Sequence, residues 1–348
     1  MIQIAVIFLV FFSQYASGDE DVSVKTTKGQ VTGKRITVGI NDSTGLYHGT
    51  ADVFLGIPFA ESTAPPMRFQ LPLERKPWSQ TLLATDWPAA CPQDPAQISQ
   101  EFNANSDKKL PVMIWIHGGA FVFGYAKKFP ADGIITNLVN RGVVVVTIQY
   151  RLGALGFFTT RTHDFEANLG LFDQLMAFRW VQREISNFGG DAGNVTIFGE
   201  SAGACSVAFH TYSNISVTQN LYHRAIMESG AAKTCLSGYL YRDQQQSHDF
   251  ALKLCAKYNF TMAQWNSGNF NNLNTCLNTE SYASIVDAQK AGAGVWLVVA
   301  HPNSTFLPGT PKQLAEAMGK NRPPLPVIIG TNRDEMVADV GRKIYIIL

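Results

Sequence analysis

Gly199-Glu200-Ser201-Ala202-Gly203 is the stretch of this 348-residue sequence best suited to covalent chemistry. It fits the G-x-S-x-G pattern, which gains weight only when a strand precedes it and a helix follows. Here Val195-Thr196-Ile197-Phe198 reads as the strand and Ala202 to His210 as the helix. In that setting the two glycines let strand and helix approach without a Cβ clash, and the serine occupies a tight, strained turn. Its hydroxyl then projects at the C-terminal edge of a sheet, over helix N–H groups that favour developing negative charge. The expected role of Ser201 is nucleophilic attack. A second feature points the same way. Val112-Met113-Ile114-Trp115-Ile116 is an apolar run that ends in His117-Gly118-Gly119-Ala120-Phe121. Consecutive glycines there can turn the N–H groups of Gly118 and Gly119 toward an oxyanion, and the N–H of Ala202 supplies a third donor. Each such donor is worth about 3 kcal/mol in a transition state.

These residues need a rigid frame. Val143 to Ile148 reads as another strand, β-branched and apolar on both faces, and Arg224 to Glu228 and Pro326 to Gly330 as two more. Between them Leu171, Leu175, Phe178, Val181 and Ile185 recur on one face of a helix that stops at Gly189-Gly190. Two-sided apolar strands alternating with helices predict an α/β fold, a mostly parallel sheet covered on both faces. Upstream, Asp21 to Ile40 alternates around Lys28-Gly29, as an antiparallel hairpin does, and Val53 to Pro58 reads as a short strand. Ala64 to Pro95, rich in Pro and Trp, reads as a long irregular connection, and Gln244 to Glu280 as a helical and loop insertion rather than a separate domain.

Composition agrees with an enzyme-sized globular body. Hydrophobic residues make up 46% and charged residues 16%, which excludes disorder, and 28 basic against 27 acidic side chains leave a net charge of +1. No basic footprint suggests nucleic acid, and no metal cluster or phosphate loop in the sequence implies a cofactor or metal. Ile4 to Phe12 is an apolar run too short to span a bilayer, followed by small residues at Ala16 and Gly18. Residues 1–18 are therefore expected to be a signal peptide and 19–348 a single domain, secreted or in the endoplasmic reticulum lumen, with no transmembrane anchor.

In an oxidising compartment most of the five cysteines should pair. Cys255 and Cys276 enclose a polar, Asn-rich loop and are expected to form a disulfide. Cys205 and Cys235 read as buried thiols, and Cys91 is left without a mate. Sequons at Asn41, Asn214, Asn259 and Asn303 are candidate glycan sites, whereas that at Asn194 leads straight into an apolar strand.

The run Phe188-Gly189-Gly190-Asp191-Ala192-Gly193-Asn194-Val195-Thr196-Ile197-Phe198-Gly199-Glu200-Ser201-Ala202-Gly203 resembles the active-serine signature of the type-B carboxylesterase and cholinesterase family. Leu55-Gly56-Ile57-Pro58-Phe59-Ala60, Cys91-Pro92-Gln93 and Tyr150-Arg151-Leu152-Gly153 add to the likeness, which runs from about residue 22 to about 336. The resemblance implies an α/β-hydrolase fold and hydrolysis of small-molecule carboxylic esters through an acyl-enzyme. It implies a triad in the order Ser, acid, His, with Glu335 as the acid and Asp334 as the local alternative. Glu200 and Ser229 would sit behind the site, Glu200 lending negative charge. It also implies two gaps. The family takes its histidine from a later loop, yet all seven histidines here precede Glu335. Relatives further carry a cysteine-bearing strand between Cys91 and Pro111 that would pair Cys91. The expectation is an incomplete or alternatively spliced esterase, lacking one internal segment and the C-terminal part, that is unstable or inactive in this form. The loss of that segment disfavours a cholinesterase. The alternative reading is a non-catalytic adhesion or ligand-binding member of the same fold.

Overall fold

The computed structural model describes residues 3–9, 20–38, 49–86, 91, 109–128, 131–236, 242–290, 296, 298–319 and 324–332. Its strands are β1 (Gln3–Leu9), β2 (Glu20–Lys25), β3 (Gln30–Val38), β4 (Gly49–Pro58), β5 (Leu82–Leu83), β6 (Leu110–Ile116), β7 (Val144–Ile148), β8 (Gly190–Glu200), β9 (Arg224–Glu228) and β10 (Val327–Gly330). All ten join one sheet in the order β10-β9-β8-β6-β7-β1-β4-β3-β2, with β5 beside β3.

The sheet has two halves. From β10 to β7 every neighbour is parallel, the pattern expected from the alternation of apolar strands and helices. All five residues of β7 are buried, as a strand covered on both faces requires. From β7 to β2 every neighbour is antiparallel. The hairpin read from alternation is there, closed by Thr26 N–H donating to the carbonyl of Gly29 at 3.0 Å. The stretch read as a leader contributes β1, which lies between β4 and β7 and is antiparallel to both. Residues 92–108, where relatives were expected to supply a strand, lie outside the described residues.

The helices are α1 (Ala131–Asn137), α2 (Gly153–Phe157), α3 (Leu169–Glu184), α4 (Ala202–Tyr212), α5 (Asn214–Val217), α6 (Ala232–Leu236), α7 (Arg242–Cys255), α8 (Met262–Ser267), α9 (Asn271–Thr279), α10 (Tyr282–Lys290) and α11 (Pro311–Met318). Helix α3 buries Leu171, Leu175, Phe178 and Val181, passes into a 3₁₀ turn and ends at Gly189, whose φ of 76° only glycine adopts readily. Between β7 and α3 the chain is pinned by Arg151, buried and bidentate to Asp173 at 2.7 and 2.8 Å. The Gln244 to Glu280 region is helical as read, and Cys255–Cys276 is a disulfide closing α7 onto α9.

Two readings need correction. Cys205 and Cys235 are a disulfide, not separate thiols. Sequence spacing hides this: α4 and α6 come together only after β9 turns the chain back, which brings the two Cα atoms to 6.0 Å. Strand β8 also begins at Gly190, five residues before the apolar run. Leu110 N–H bonds the carbonyl of Gly189 at 2.7 Å, so pairing with β6 extends through residues whose side chains announce a turn. Cys91 is a buried thiol, and burial pushes its pKa up to about 12.

Candidate active site

Ser201 stands between β8 and α4 with φ 55° and ψ −122°, a conformation that costs a non-glycine residue about 1–3 kcal/mol. Such strain persists only where the surroundings fix it. Ser201 N–H donates to the carbonyl of Glu228 on β9 at 2.9 Å, and the Ser201 carbonyl accepts from Cys205 N–H at 2.9 Å. The flanking glycines are required by close approach. A Cβ on Gly203 would lie 2.0 Å from the carbonyl oxygen of Ile116, and one on Gly199 would lie 2.6 Å from that same oxygen. The end of β6 therefore packs directly on the turn, which is the steric reason for glycine that the sequence pattern suggested.

The His117-Gly118-Gly119 loop lies against the serine. A Cβ on Gly118 would sit 3.2 Å from Ser201 Cβ and 2.9 Å from Glu200 Oε2. Gly119 has φ 110°, and its carbonyl accepts from the N–H groups of Val122 and Phe123 at 2.9 and 3.0 Å, which folds the loop back on itself. The N–H groups of Gly118 and Gly119 donate to no acceptor among the described residues. Tyr150 fixes the base of the loop: its hydroxyl donates to the His117 carbonyl at 2.7 Å, and its ring stacks on the imidazole at 4.4 Å.

Glu200 and Glu228 stand opposite each other at the ends of β8 and β9. Burial, and then the charge of Glu200, raise the Glu228 pKa. Ser229 is half-buried with φ 56°, and its N–H donates to the carbonyl of Gly330 at 2.7 Å. Gly230 closes the floor, since a Cβ there would lie 2.6 Å from the Ser201 carbonyl oxygen. Ser201, Gly118, Gly119, Ala202, Glu200 and Ser229 are thus gathered at one end of the parallel strands. Glu335 and Asp334 lie outside the described residues, as does Asn41. Asn214, Asn259 and Asn303 are exposed, although Asn303 Nδ2 donates to the Arg161 carbonyl at 2.9 Å. Among the described residues no group of His, Cys, Asp and Glu could hold a metal ion.

No hydrogen bond joins a histidine to Ser201 among the described residues. His117 Nδ1 meets the Gly118 carbonyl, His210 bonds Ser216 and Gln174, and His223 accepts from Val195 N–H. His248 lies against Met262, and His301 accepts from Asn303 N–H. Burial lowers His117 to about 4 and His210 to about 3 from an ordinary 6.5. Both are neutral when folded, whereas the unfolded chain protonates them near pH 6.5. Stability therefore falls as the pH drops below 6.5, and continues to fall until it reaches about 4 for His117 and about 3 for His210. From pH 7 to pH 5 the loss should be about 2 kcal/mol per histidine. Burial of Asp52, whose pKa it raises to about 6, shifts stability the opposite way over this range, so urea unfolding at the two pH values is compared between the unaltered chain and His210→Asn; a pH dependence that the substitution leaves unchanged would contradict neutral burial.

Sequence reasoning missed the groups behind α4. Residues 202, 206 and 210 are four apart, so Ser206 and His210 lie on the same helix face as Ala202. Two polar side chains four apart in a largely apolar helix were the available signal.

A parallel sheet flanked by helices, with a strand–turn–helix serine at its C-terminal edge and a glycine loop against it, defines the α/β-hydrolase fold. The chain belongs to the carboxylesterase family, whose sequence profile matches residues 20–343. It is 37% identical to the acylcarnitine hydrolase of Mus musculus over 337 residues, covering 89% of this chain and 55% of that protein. It is 34% identical to liver carboxylesterase 1F of Rattus norvegicus, covering 92% and 60%. With the cocaine esterase of Homo sapiens it shares 36% identity, covering 91% and 57%. The chain thus spans about half the length of the curated relatives it matches.

Proposed function

We propose that this chain carries the acylation half of a carboxylic ester hydrolase. Ser201 Oγ attacks the ester carbonyl and the N–H groups of Gly118, Gly119 and Ala202 take the oxyanion; the ester C–O bond then breaks and the alcohol leaves with the serine proton, so that an acyl-enzyme remains on Ser201 Oγ. What supports the reading is a serine with φ 55° on a turn that packs against Gly118, in a loop whose Gly118 and Gly119 N–H groups donate to no acceptor among the described residues. Glu200 adds negative charge beside the nucleophile, which favours a cationic base as it forms. Glu335 is the acid by likeness to the family, and none of the described histidines serves as base. In a serine hydrolase, turnover without its base is about 10⁶-fold lower, leaving what oxyanion donors and binding supply. A stoichiometric covalent probe is therefore a better reporter than turnover: a fluorophosphonate is expected to modify Ser201 and nothing else. A folded chain that takes no adduct would favour a non-catalytic, ligand-binding member of the fold.

The small-molecule ester substrate follows from the same site. A secreted or lumenal location is supported by two disulfides, and no described helix is long and apolar enough to cross a membrane.

A further inference from the structure

Behind the elbow runs a chain of side chains that the ester chemistry does not use. Ser216 on α5, His210 and Ser206 on α4 and Gln174 on α3 are all fully buried. His210 Nδ1 lies 2.8 Å from Ser216 Oγ, and His210 Nε2 lies 3.0 Å from Gln174 Oε1. Gln174 Nε2 donates to Ser206 Oγ at 3.0 Å, and Ser206 Oγ donates to the carbonyl of Ala202 at 3.0 Å. The direction is set by chemistry. An amide oxygen only accepts, so His210 Nε2 carries the hydrogen and Nδ1 accepts from the Ser216 hydroxyl. Every donor then points along one line, from α5 through α4 and α3 to the first residue of the nucleophile helix.

Four buried polar side chains are costly unless each is satisfied, and a satisfied network selects one arrangement of the elements that carry it. The far end of this one is the carbonyl next to the strained serine. The Ser201 turn is held on its strand side by the Glu228 carbonyl, and on its helix side by the Cys205 N–H. We propose that the Ser216–His210–Gln174–Ser206 chain is a positioning device that fixes the first turn of α4, with Gln174 as its central positioning residue. It works through Ala202 and Cys205, and no member touches the reacting atoms. The proposal builds on the nucleophile reading, but its main test does not depend on Ser201 being reactive.

The test compares Ser206→Ala and Gln174→Leu with the unaltered full chain by amide hydrogen exchange. Two bonds of α4 serve as reporters: Cys205 N–H to the Ser201 carbonyl at the elbow, and Ser213 N–H to the Phe209 carbonyl at the far end, both 2.9 Å. Losing one buried neutral hydrogen bond should speed Cys205 exchange about tenfold, with Ser213 unchanged. In parallel, phosphonylation of Ser201 should slow by a similar factor. Equal acceleration of both amides would assign the chain to general stability and overturn the proposal, as would an unchanged Cys205 amide. Ser206→Ala removes a single oxygen and decides the matter alone if Gln174→Leu does not fold. If the unaltered chain takes no phosphonate, the nucleophile reading fails, while the exchange pattern still judges the positioning device.

Discussion

Gly203→Ala is expected to lower the unfolding free energy by about 3 kcal/mol, the upper end of ordinary overpacking. The new methyl carbon would fall 2.0 Å from the carbonyl oxygen of Ile116, and that oxygen belongs to β6, inside the sheet. No flexible side chain can yield there. Either α4 lifts from the sheet or the β6–β8 pairing opens. Against a net stability of about 5–15 kcal/mol such a loss is large. Gly133→Ala is the matched control: it lies in α1, with nothing within 4 Å of the added carbon, and alanine there should stabilise by up to about 1 kcal/mol. Urea denaturation of the two variants reads the difference directly. Equal midpoints would show that β6 does not press on the elbow.

Gly118→Ala should cost the fold less than Gly203→Ala and damage the chemistry more. Its added carbon would meet the Glu200 carbonyl at 2.6 Å and Ser201 Cβ at 3.2 Å. The contact with the Glu200 carbonyl is longer than the 2.0 Å one at Gly203, and the loop lies beyond the end of β6, so the unfolding midpoint should fall less than that of Gly203→Ala. A displacement of about 1 Å takes the Gly118 and Gly119 N–H groups out of line with the forming oxyanion. Misplacement of that size costs about 10²-fold, and complete loss of one donor costs up to about 10³-fold. The rate of Ser201 phosphonylation is the readout. An unchanged rate in folded Gly118→Ala would remove these N–H groups from the oxyanion site.

The glycine-flanked turn and the loop beside it were legible because their constraints are local. Gly199, Ser201 and Gly203 are dictated by a turn in which backbone meets backbone, and Gly118-Gly119 by a loop pressed against it. Such requirements leave glycines at fixed spacing. The parallel strands were legible for a related reason, since a strand buried on both faces has no room for polar residues, and β7 has only Thr147. What escaped depends on residues distant in sequence. Cys205 and Cys235 are 30 residues apart and meet only because α4 and α6 flank the same strand end. Gln174 and Ser206 are 32 apart and each looks unremarkable in its own helix. The antiparallel half shows another limit: an apolar, β-branched stretch such as Gln3–Leu9 satisfies the demands of a leader and of an interior strand equally well, because both ask only for continuous hydrophobicity.

The central claim is that a left-handed turn presents one serine hydroxyl to the amides of the Gly118-Gly119 loop. Peptide mapping by mass spectrometry after incubation with a fluorophosphonate tests it most directly, with and without added imidazole to stand in for a histidine base. The expected result is a single phosphonyl adduct on Ser201, formed faster with imidazole and absent from Ser201→Ala. A natively folded chain that stays unmodified at Ser201, or takes its adduct on another residue, would contradict the account.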